Sequence, residues 1–130
     1  MKIFILEDNL KRIEQFCKLF SNKNIIYTAC TKEAISILTT ECFDIIFLDH
    51  DLSEITTLRA DGTGYEVANF LGNFDTPNNR ALIVIHTMNP EGADSMMGVL
   101  KNRNACRILY TDIQDHEMIN RFIAINNNEN

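Results

Sequence analysis

The chain has 130 residues, 45% of them hydrophobic and 23% charged, which is the composition of one ordinary globular domain. Its net charge of -6 excludes a broad nucleic-acid-binding surface, because such a surface must neutralise many phosphates. No apolar run approaches the roughly 18 residues that a membrane span requires, and the N-terminus turns acidic too early for a signal peptide. We therefore expect a cytoplasmic protein with one domain over residues 1–125 and a frayed tail over 126–130.

Apolar runs that are typical of strands alternate with apolar stripes that have helical spacing. The runs predict five strands, over residues 1–6, 24–30, 43–48, 80–87 and 105–110. The stripes predict helices between and after them, the first capped by Asp8 or Asn9 and the second by Thr31. This alternation predicts a three-layer α/β/α fold with five parallel strands. The four cysteines lack Cys-x-x-Cys spacing, so we expect reduced and mostly buried thiols.

Acidic and histidine side chains follow three of the predicted strands: Glu7 and Asp8, then Asp49, His50 and Asp51, and then His86 beside Thr87. In open parallel sheets, ligands bind beyond the carboxyl ends of the strands, where the strand order reverses. Strands one, three and four are neighbours if the order is 2-1-3-4-5, and the three ends then share one crevice. A simpler interpretation, in which each acidic residue only caps the next helix, explains single positions better than it explains all three ends.

Carboxylates gathered in one crevice need compensation. Two like charges 4 Å apart repel by about 4 kcal/mol at an effective dielectric constant of about 20. They must therefore share protons or bind a cation. Carboxylate oxygens favour Mg²⁺, and nearby imidazoles widen the choice to Mn²⁺, Fe²⁺ or Zn²⁺.

The acidic pair Glu7-Asp8 follows the first strand, and the stretch "DIIFLD" closes the third strand with Asp49. This arrangement resembles a response-regulator receiver domain over nearly the whole chain. The resemblance implies a flavodoxin-like sheet in the order 2-1-3-4-5, with Asp49 at the phosphoacceptor position. Three features depart from that family: His86 precedes Thr87 after strand four, no lysine follows strand five, and the loop "LSEITTLRADGTG" is longer and contains Arg59.

Three further stretches, "LDHDL", "DGTGYEVANFL" and "VIHTMNPEGADSM", narrow the resemblance. Together they are similar to receiver-like domains that are named for a predicted role in cyclic-phosphate processing. The residues that match this narrower pattern are Asp49, His50, Asp51, His86, Asn89, Pro90 and Gly92. The resemblance implies a metal-dependent phosphoesterase that acts on a cyclic phosphate in a nucleotide or at an RNA end.

The expected metal site consists of Glu7, Asp8, Asp49 and Asp51 around Mg²⁺, with Mn²⁺ as the second choice. Asp49 also belongs to the expected catalytic group, together with His50 and His86. An imidazole transfers protons in both directions near neutral pH. This hypothesis requires an accessible His86 that leans over the ion, and burial of His86 in the interior would contradict it. The competing interpretations are a buried His86 bonded to backbone and an idle, exposed His50.

The expected phosphate contacts come from Thr87, Asn89, Gly92 and Arg59. Pro90 near a helix start would leave the amides of Gly92 and Ala93 available to an anion. Arg59 can clamp a phosphate through two hydrogen bonds, although an arginine on a loop is more often simply solvated.

Two other functions stay open. In the first, Asp49 accepts a phosphoryl group from a partner histidine kinase. In the second, the chain is a degenerate receiver that binds proteins and has no chemistry.

Overall fold

The computed structural model describes residues 1–52, 63–113, 119–121 and 124. Its five strands are β1 (Lys2–Leu6), β2 (Asn24–Thr28), β3 (Ile45–Leu48), β4 (Leu82–Ile85) and β5 (Ala105–Arg107). Its helices are α1 (Leu10–Leu19), α2 (Thr31–Thr40), α3 (Gly64–Asn73), α4 (Pro90–Val99) and α5 (Tyr110–Ile113). All strand pairs are parallel, in the order β2-β1-β3-β4-β5. The predicted fold class and strand order are therefore confirmed.

Alternation along the strands divides the core into two layers, because successive side chains of a strand point to opposite faces of the sheet. On one face, residues such as Phe4, Ile46 and Ile83 pack against α2, α3 and α4. On the other face, residues such as Ile5 and Phe47 pack against α1 and α5. The central strands are buried on both faces, which explains why their sequences are continuously apolar.

Several predicted element ends differ from the observed ones. Asn9, one of the two predicted caps of α1, does cap that helix by accepting a hydrogen bond from the Arg12 amide (3.2 Å). Thr31 was the predicted cap of α2, but the cap is Cys30 and Thr31 is the first residue of the helix. Strand β5 ends at Arg107, and Tyr110 begins α5 instead of ending the strand. The four cysteines form no disulfide, but three are half-buried and Cys42 is exposed, so the prediction of mostly buried thiols is wrong.

The segment between Leu52 and Thr63 lies outside the described residues, but both of its ends are tied to the sheet. Asp51 and Thr63 form an isolated antiparallel bridge, and the Gly64 amide donates to the His50 carbonyl over 2.8 Å. A Cβ at Gly64 would lie 1.7 Å from the Asp49 carbonyl oxygen. Only glycine therefore allows α3 to begin this close to the end of β3.

The last predicted helix is only partly described. Ile119 is buried with the α1 and α5 residues, whereas Met118, Phe122, Ile123 and the tail 126–130 lie outside the described residues. In the part of the chain that is described, no helix has the length and apolar character needed to cross a membrane.

Candidate functional site

Glu7, Asp49 and His86 form one row across the carboxyl edge of the sheet. Each is the residue directly after its strand, and each amide continues the ladder over 3.1 Å: Glu7 to the Thr28 carbonyl, Asp49 to that of Leu6 and His86 to that of Leu48. Because the strand register is preserved, the three side chains share the face that α1 and α5 cover. The expectation that the ends of strands one, three and four meet is confirmed.

The Glu7 carboxylate is fully buried and is contacted by several polar groups. Its Oε2 accepts hydrogen bonds from the backbone amides of Asp8 and Asn9, each over 3.1 Å. Its Oε1 lies 2.9 Å from Nε2 of His86 and 3.7 Å from Nη1 of Arg12. A buried charge requires such partners, and Glu7 obtains them from backbone, imidazole and guanidinium together.

The carboxyl groups of Glu7 and Asp49 lie close together in the row, and their mutual repulsion favours a shared proton. Burial, followed by the charge of Glu7, raises the pKa of Asp49 to about 7. Burial also raises the pKa of Glu7, although the Asn9 amide, Asp49 and Arg12 all oppose that shift. Glu7 accepts from two backbone amides and lies beside His86, so Asp49 is the member of the pair that binds a proton more readily.

His86 is fully buried and lies among aromatic rings. Its ring centroid is 5.3 Å from that of Phe16, 6.3 Å from that of Phe47 and 6.4 Å from that of Tyr110. Burial lowers the pKa of His86 to about 4, so the imidazole is neutral at pH 7 and donates Nε2–H to Glu7. A sealed, neutral imidazole cannot exchange protons with a substrate. This burial contradicts the expectation of an accessible His86.

The same three side chains form a group that fits a metal ion. One ligand atom from each of Glu7, Asp49 and His86 lies within 4.8 Å of the others. The buried Nδ1 of His86 has no hydrogen-bond partner among the described residues, and two carboxylates with a neutral imidazole are a donor set for Mg²⁺, Mn²⁺ or Zn²⁺. Of the expected ligands, Asp8 is buried beside Glu7 but is not in this group, and Asp51 is also not in it.

His50 and Asp51 form a second cluster on the other side of the edge. Nδ1 of His50 lies 2.8 Å from Oδ1 of Asp51, which Asn89 Nδ2 also contacts at 3.4 Å. The His50 side chain is 18% exposed, and its ring rests on Gly92, where a Cβ would come within 2.5 Å of it. His50 is therefore not fully exposed, and Asp51 contacts its imidazole instead of joining the metal group.

The start of α4 differs from the expected anion site. Asn89 caps the helix by accepting a hydrogen bond from the Gly92 amide (3.1 Å), and the Ala93 amide donates to the Asn89 carbonyl (2.9 Å). Both amides are occupied, so the prediction that they are available to an anion is wrong. The Thr87 hydroxyl accepts from the Asn89 amide (3.1 Å). Thr87 and Asn89 stay predicted phosphate contacts, and Arg59 lies outside the described residues.

Arg12 is a site residue that the sequence analysis missed. Its guanidinium carbon lies 4.7 Å from the centroid of the Tyr110 ring, and the Tyr110 hydroxyl donates a hydrogen bond to Oε1 of Gln15. On the sequence, Arg12 occupies the polar face of an amphipathic helix, where most charged residues are only solvated. The sequence feature that could have indicated a role for Arg12 is its position one turn after the acidic pair Glu7-Asp8.

A family model described as "Cyclic-phosphate processing Receiver domain" matches residues 1–102, and this range contains Glu7, Asp49 and His86. The chain belongs to this family. No protein among the curated sequences is significantly similar to this receiver domain.

Solved structures with the same fold include three receiver domains of low sequence identity. A CheY-like receiver domain from Methanospirillum hungatei JF-1 is 15% identical, with a TM-score of 0.66 over 99% of this chain and 98% of its own. One from Methylobacillus flagellatus is 16% identical, with a TM-score of 0.68 over 95% and 98%. The receiver domain of a sensor histidine kinase from Pseudomonas aeruginosa PAO1, which holds a magnesium ion in its active-site cleft, is 15% identical, with a TM-score of 0.70 over 95% and 97%. At this identity, the similarity establishes the fold alone.

Proposed function

We propose that this receiver domain is a metal-dependent hydrolase of a cyclic phosphate, carried by a nucleotide or an RNA end. The mechanism differs from the one expected from the sequence, because the buried His86 does not transfer protons. The observation that carries the proposal is the convergence of Glu7, Asp49 and His86, whose ligand atoms lie within 4.8 Å of one another. When bound, Mg²⁺ or Mn²⁺ supplies Lewis-acid activation of the phosphoryl group. The family's description and the buried acidic group both support this reading.

The residues of the pocket have separate roles in metal binding, proton transfer and substrate contact. Glu7 and Asp49 supply charge to the ion, and the buried His86 supplies a neutral nitrogen and holds Glu7 in place. His50 takes over the proton transfer that the buried His86 cannot perform, because its side chain reaches solvent. Asp51 accepts from Nδ1 of His50 and thereby fixes the imidazole tautomer. Thr87, at the end of β4, contributes a hydroxyl on the substrate side.

Turnover of 2′,3′-cyclic nucleotides by the purified protein tests this function. We expect hydrolysis with Mn²⁺ or Mg²⁺, none with EDTA, and loss of at least about a hundredfold in kcat for Asp49→Ala, since it removes a ligand that charges the ion. Glu14→Gln is the matched control, because Glu14 is an exposed carboxylate on α1. If none of a panel of cyclic phosphates is opened with any of the metals, the proposal is wrong.

A phosphoacceptor role for Asp49 is the second candidate. The specific observation in its favour is that Asp49 is 5% exposed, whereas Glu7 and His86 are fully buried, so solvent reaches Asp49 most easily within this group. In this role a carboxylate oxygen of Asp49 attacks phosphorus, and the donor, such as a phosphohistidine of a partner kinase, leaves. Acetyl phosphate should then give an adduct 80 Da heavier (about the mass of one added phosphoryl group), which Asp49→Asn abolishes.

A further inference from the structure

Arg12 is held at the rim of the pocket by contacts from two directions. The N-cap bond from its amide to Asn9 places it in the first turn of α1. Its guanidinium lies over the Tyr110 ring with a carbon-to-centroid distance of 4.7 Å, which is a cation–π geometry. Its Nη1 lies 3.7 Å from Oε1 of Glu7.

The Arg12 guanidinium lies close to Glu7 but forms no direct hydrogen bond with it. A charge-assisted hydrogen bond between such groups measures roughly 2.8 Å, so the observed 3.7 Å indicates attraction without a direct bond. Among the described residues, the Arg12 side chain donates no hydrogen bond, and 26% of that side chain is exposed, whereas Glu7 is sealed beneath it. Arg12 thus has N–H donors that no described residue occupies, on a side chain that is partly open to solvent.

A phosphate cannot approach the buried acids without positive charge nearby. Arg12 supplies such a charge, because its Nη1 lies 3.7 Å from Oε1 of Glu7 and its side chain is partly exposed. The planar fork of an arginine fits two oxygens of one phosphate, and an aromatic ring holds that fork in a fixed plane.

We propose that Arg12 binds the phosphoryl oxygens of the substrate at the rim of the Glu7–Asp49–His86 pocket, with the Tyr110 ring positioning its guanidinium. The inference rests on the proposed function, because it assigns a ligand contact to the same pocket. Arg12 is the substrate-contacting residue, and Tyr110 acts on the substrate through Arg12, although its ring also lies beside His86.

Calorimetric titration of the purified protein with inorganic phosphate, in saturating Mn²⁺, tests the inference. Arg12→Gln should weaken phosphate binding by roughly tenfold or more, the usual worth of a charge-assisted contact. Affinity for Mn²⁺ alone should stay the same or increase, since a positive charge leaves the neighbourhood of Glu7. Lys11→Gln is the control, because it removes the same charge from an exposed adjacent residue and should change phosphate affinity by less than about twofold.

Two further variants separate the charge from its positioning. Arg12→Lys keeps the charge without the fork, so we expect an affinity for phosphate between those of the wild type and Arg12→Gln. Tyr110→Leu removes the platform and should weaken phosphate binding while Mn²⁺ affinity is retained. Thermal melts establish that each variant is folded, and Arg12→Lys decides the question if Arg12→Gln does not fold.

Three results would overturn the inference: unchanged phosphate affinity in Arg12→Gln, an equal loss of phosphate and Mn²⁺ affinity, or no phosphate binding by the wild type. If the wild type binds no phosphate, the inference about Arg12 is wrong, whether or not the protein hydrolyses cyclic phosphates. If the wild type binds phosphate through Arg12 but opens no cyclic phosphate, the proposed hydrolysis fails and the Arg12 contact stands.

Discussion

Nε2 of His86 lies 2.9 Å from Oε1 of Glu7, and both side chains are fully buried. The neutral imidazole donates to the carboxylate, so the contact satisfies a buried acceptor that would otherwise be costly. Because both residues also belong to the group that fits a metal ion, one hydrogen bond links the stability of the fold to the metal site.

Replacement of His86 should therefore affect stability and metal binding together. His86→Leu leaves the Glu7 carboxylate short of a donor, and we expect a loss of about 1–3 kcal/mol in the free energy of unfolding. Urea denaturation of the metal-free protein measures this, and Mn²⁺ titration should show weaker binding. His50→Gln is the comparison: it should retain stability and Mn²⁺ affinity but lower turnover. Equal behaviour of the two variants would contradict the roles assigned to these histidines.

Replacement of Asp49 should make the stability of the metal-free protein depend less on pH. The pKa of Asp49 is raised to about 7 in the folded protein, so its contribution to stability is present below the unfolded value near 3.8 and is lost as pH rises through about 7. Asp49→Asn imitates the protonated form. Its stability relative to the wild type should grow by about 2 kcal/mol between pH 5 and pH 8.

The comparison of Asp49→Asn with the wild type also removes the effect of His86 titration on stability. The pKa of His86 is lowered to about 4, so its contribution is present above 6.5 and is lost as pH falls through about 4. Loss of the Asp49 charge lowers this pKa further, so between pH 5 and pH 8 the folded imidazole is neutral in both proteins. Urea denaturation at several pH values, with EDTA, measures the difference. A pH-independent difference would mean that Asp49 is ionised throughout.

Gly92 and Gly98 of α4 provide a matched pair for testing His50. A Cβ at residue 92 would lie 2.5 Å from Cγ of His50, whereas a Cβ at residue 98 meets nothing within 4 Å. Gly92→Ala should therefore displace the imidazole from Asp51 and lower kcat for cyclic phosphates by roughly tenfold or more, as lost acid–base catalysis would. Gly98→Ala should leave kcat unchanged and add up to about 1 kcal/mol of stability. NMR shifts of the His50 ring would report the displacement directly.

Metal binding should raise the melting temperature, and Glu7 should be required for this effect. A ligand at a hundred times its Kd stabilises the native state by about 2.7 kcal/mol. Mn²⁺ should therefore raise the melting temperature of the wild type, and EDTA should reverse the increase. Glu7→Gln should abolish the increase because it removes a buried carboxylate charge from the group that fits a metal ion. The Glu14→Gln control should respond as the wild type does.

The row of Glu7, Asp49 and His86 was predictable because apolar runs identify the strands and the polar residues that follow must meet at one edge of a parallel sheet. The strand order came from the resemblance, since periodicity alone does not specify which strands are neighbours. Asn9, which caps α1, was one of the two residues that the local pattern allowed as the cap.

The tertiary contacts were not predictable in the same way. The burial of His86 depends on Phe16 and Tyr110, which approach it from opposite ends of the chain. Tyr110 itself was assigned to a strand because "ACRILY" is apolar apart from Arg107. Strand β5 ends early, at Arg107, and the Tyr110 ring lies beside Arg12. The amides of Gly92 and Ala93 are occupied because Asn89 both caps α4 and continues its backbone ladder.

The Asp51–Thr63 bridge and the Gly64–His50 hydrogen bond close the chain on itself before and after the intervening segment. The pocket residues Asp49 and His50 are thereby fixed by backbone contacts that lie outside that segment. A change in the length of this segment should therefore leave Asp49 and His50 in place. The same anchors make it a natural place to graft new recognition loops onto this scaffold.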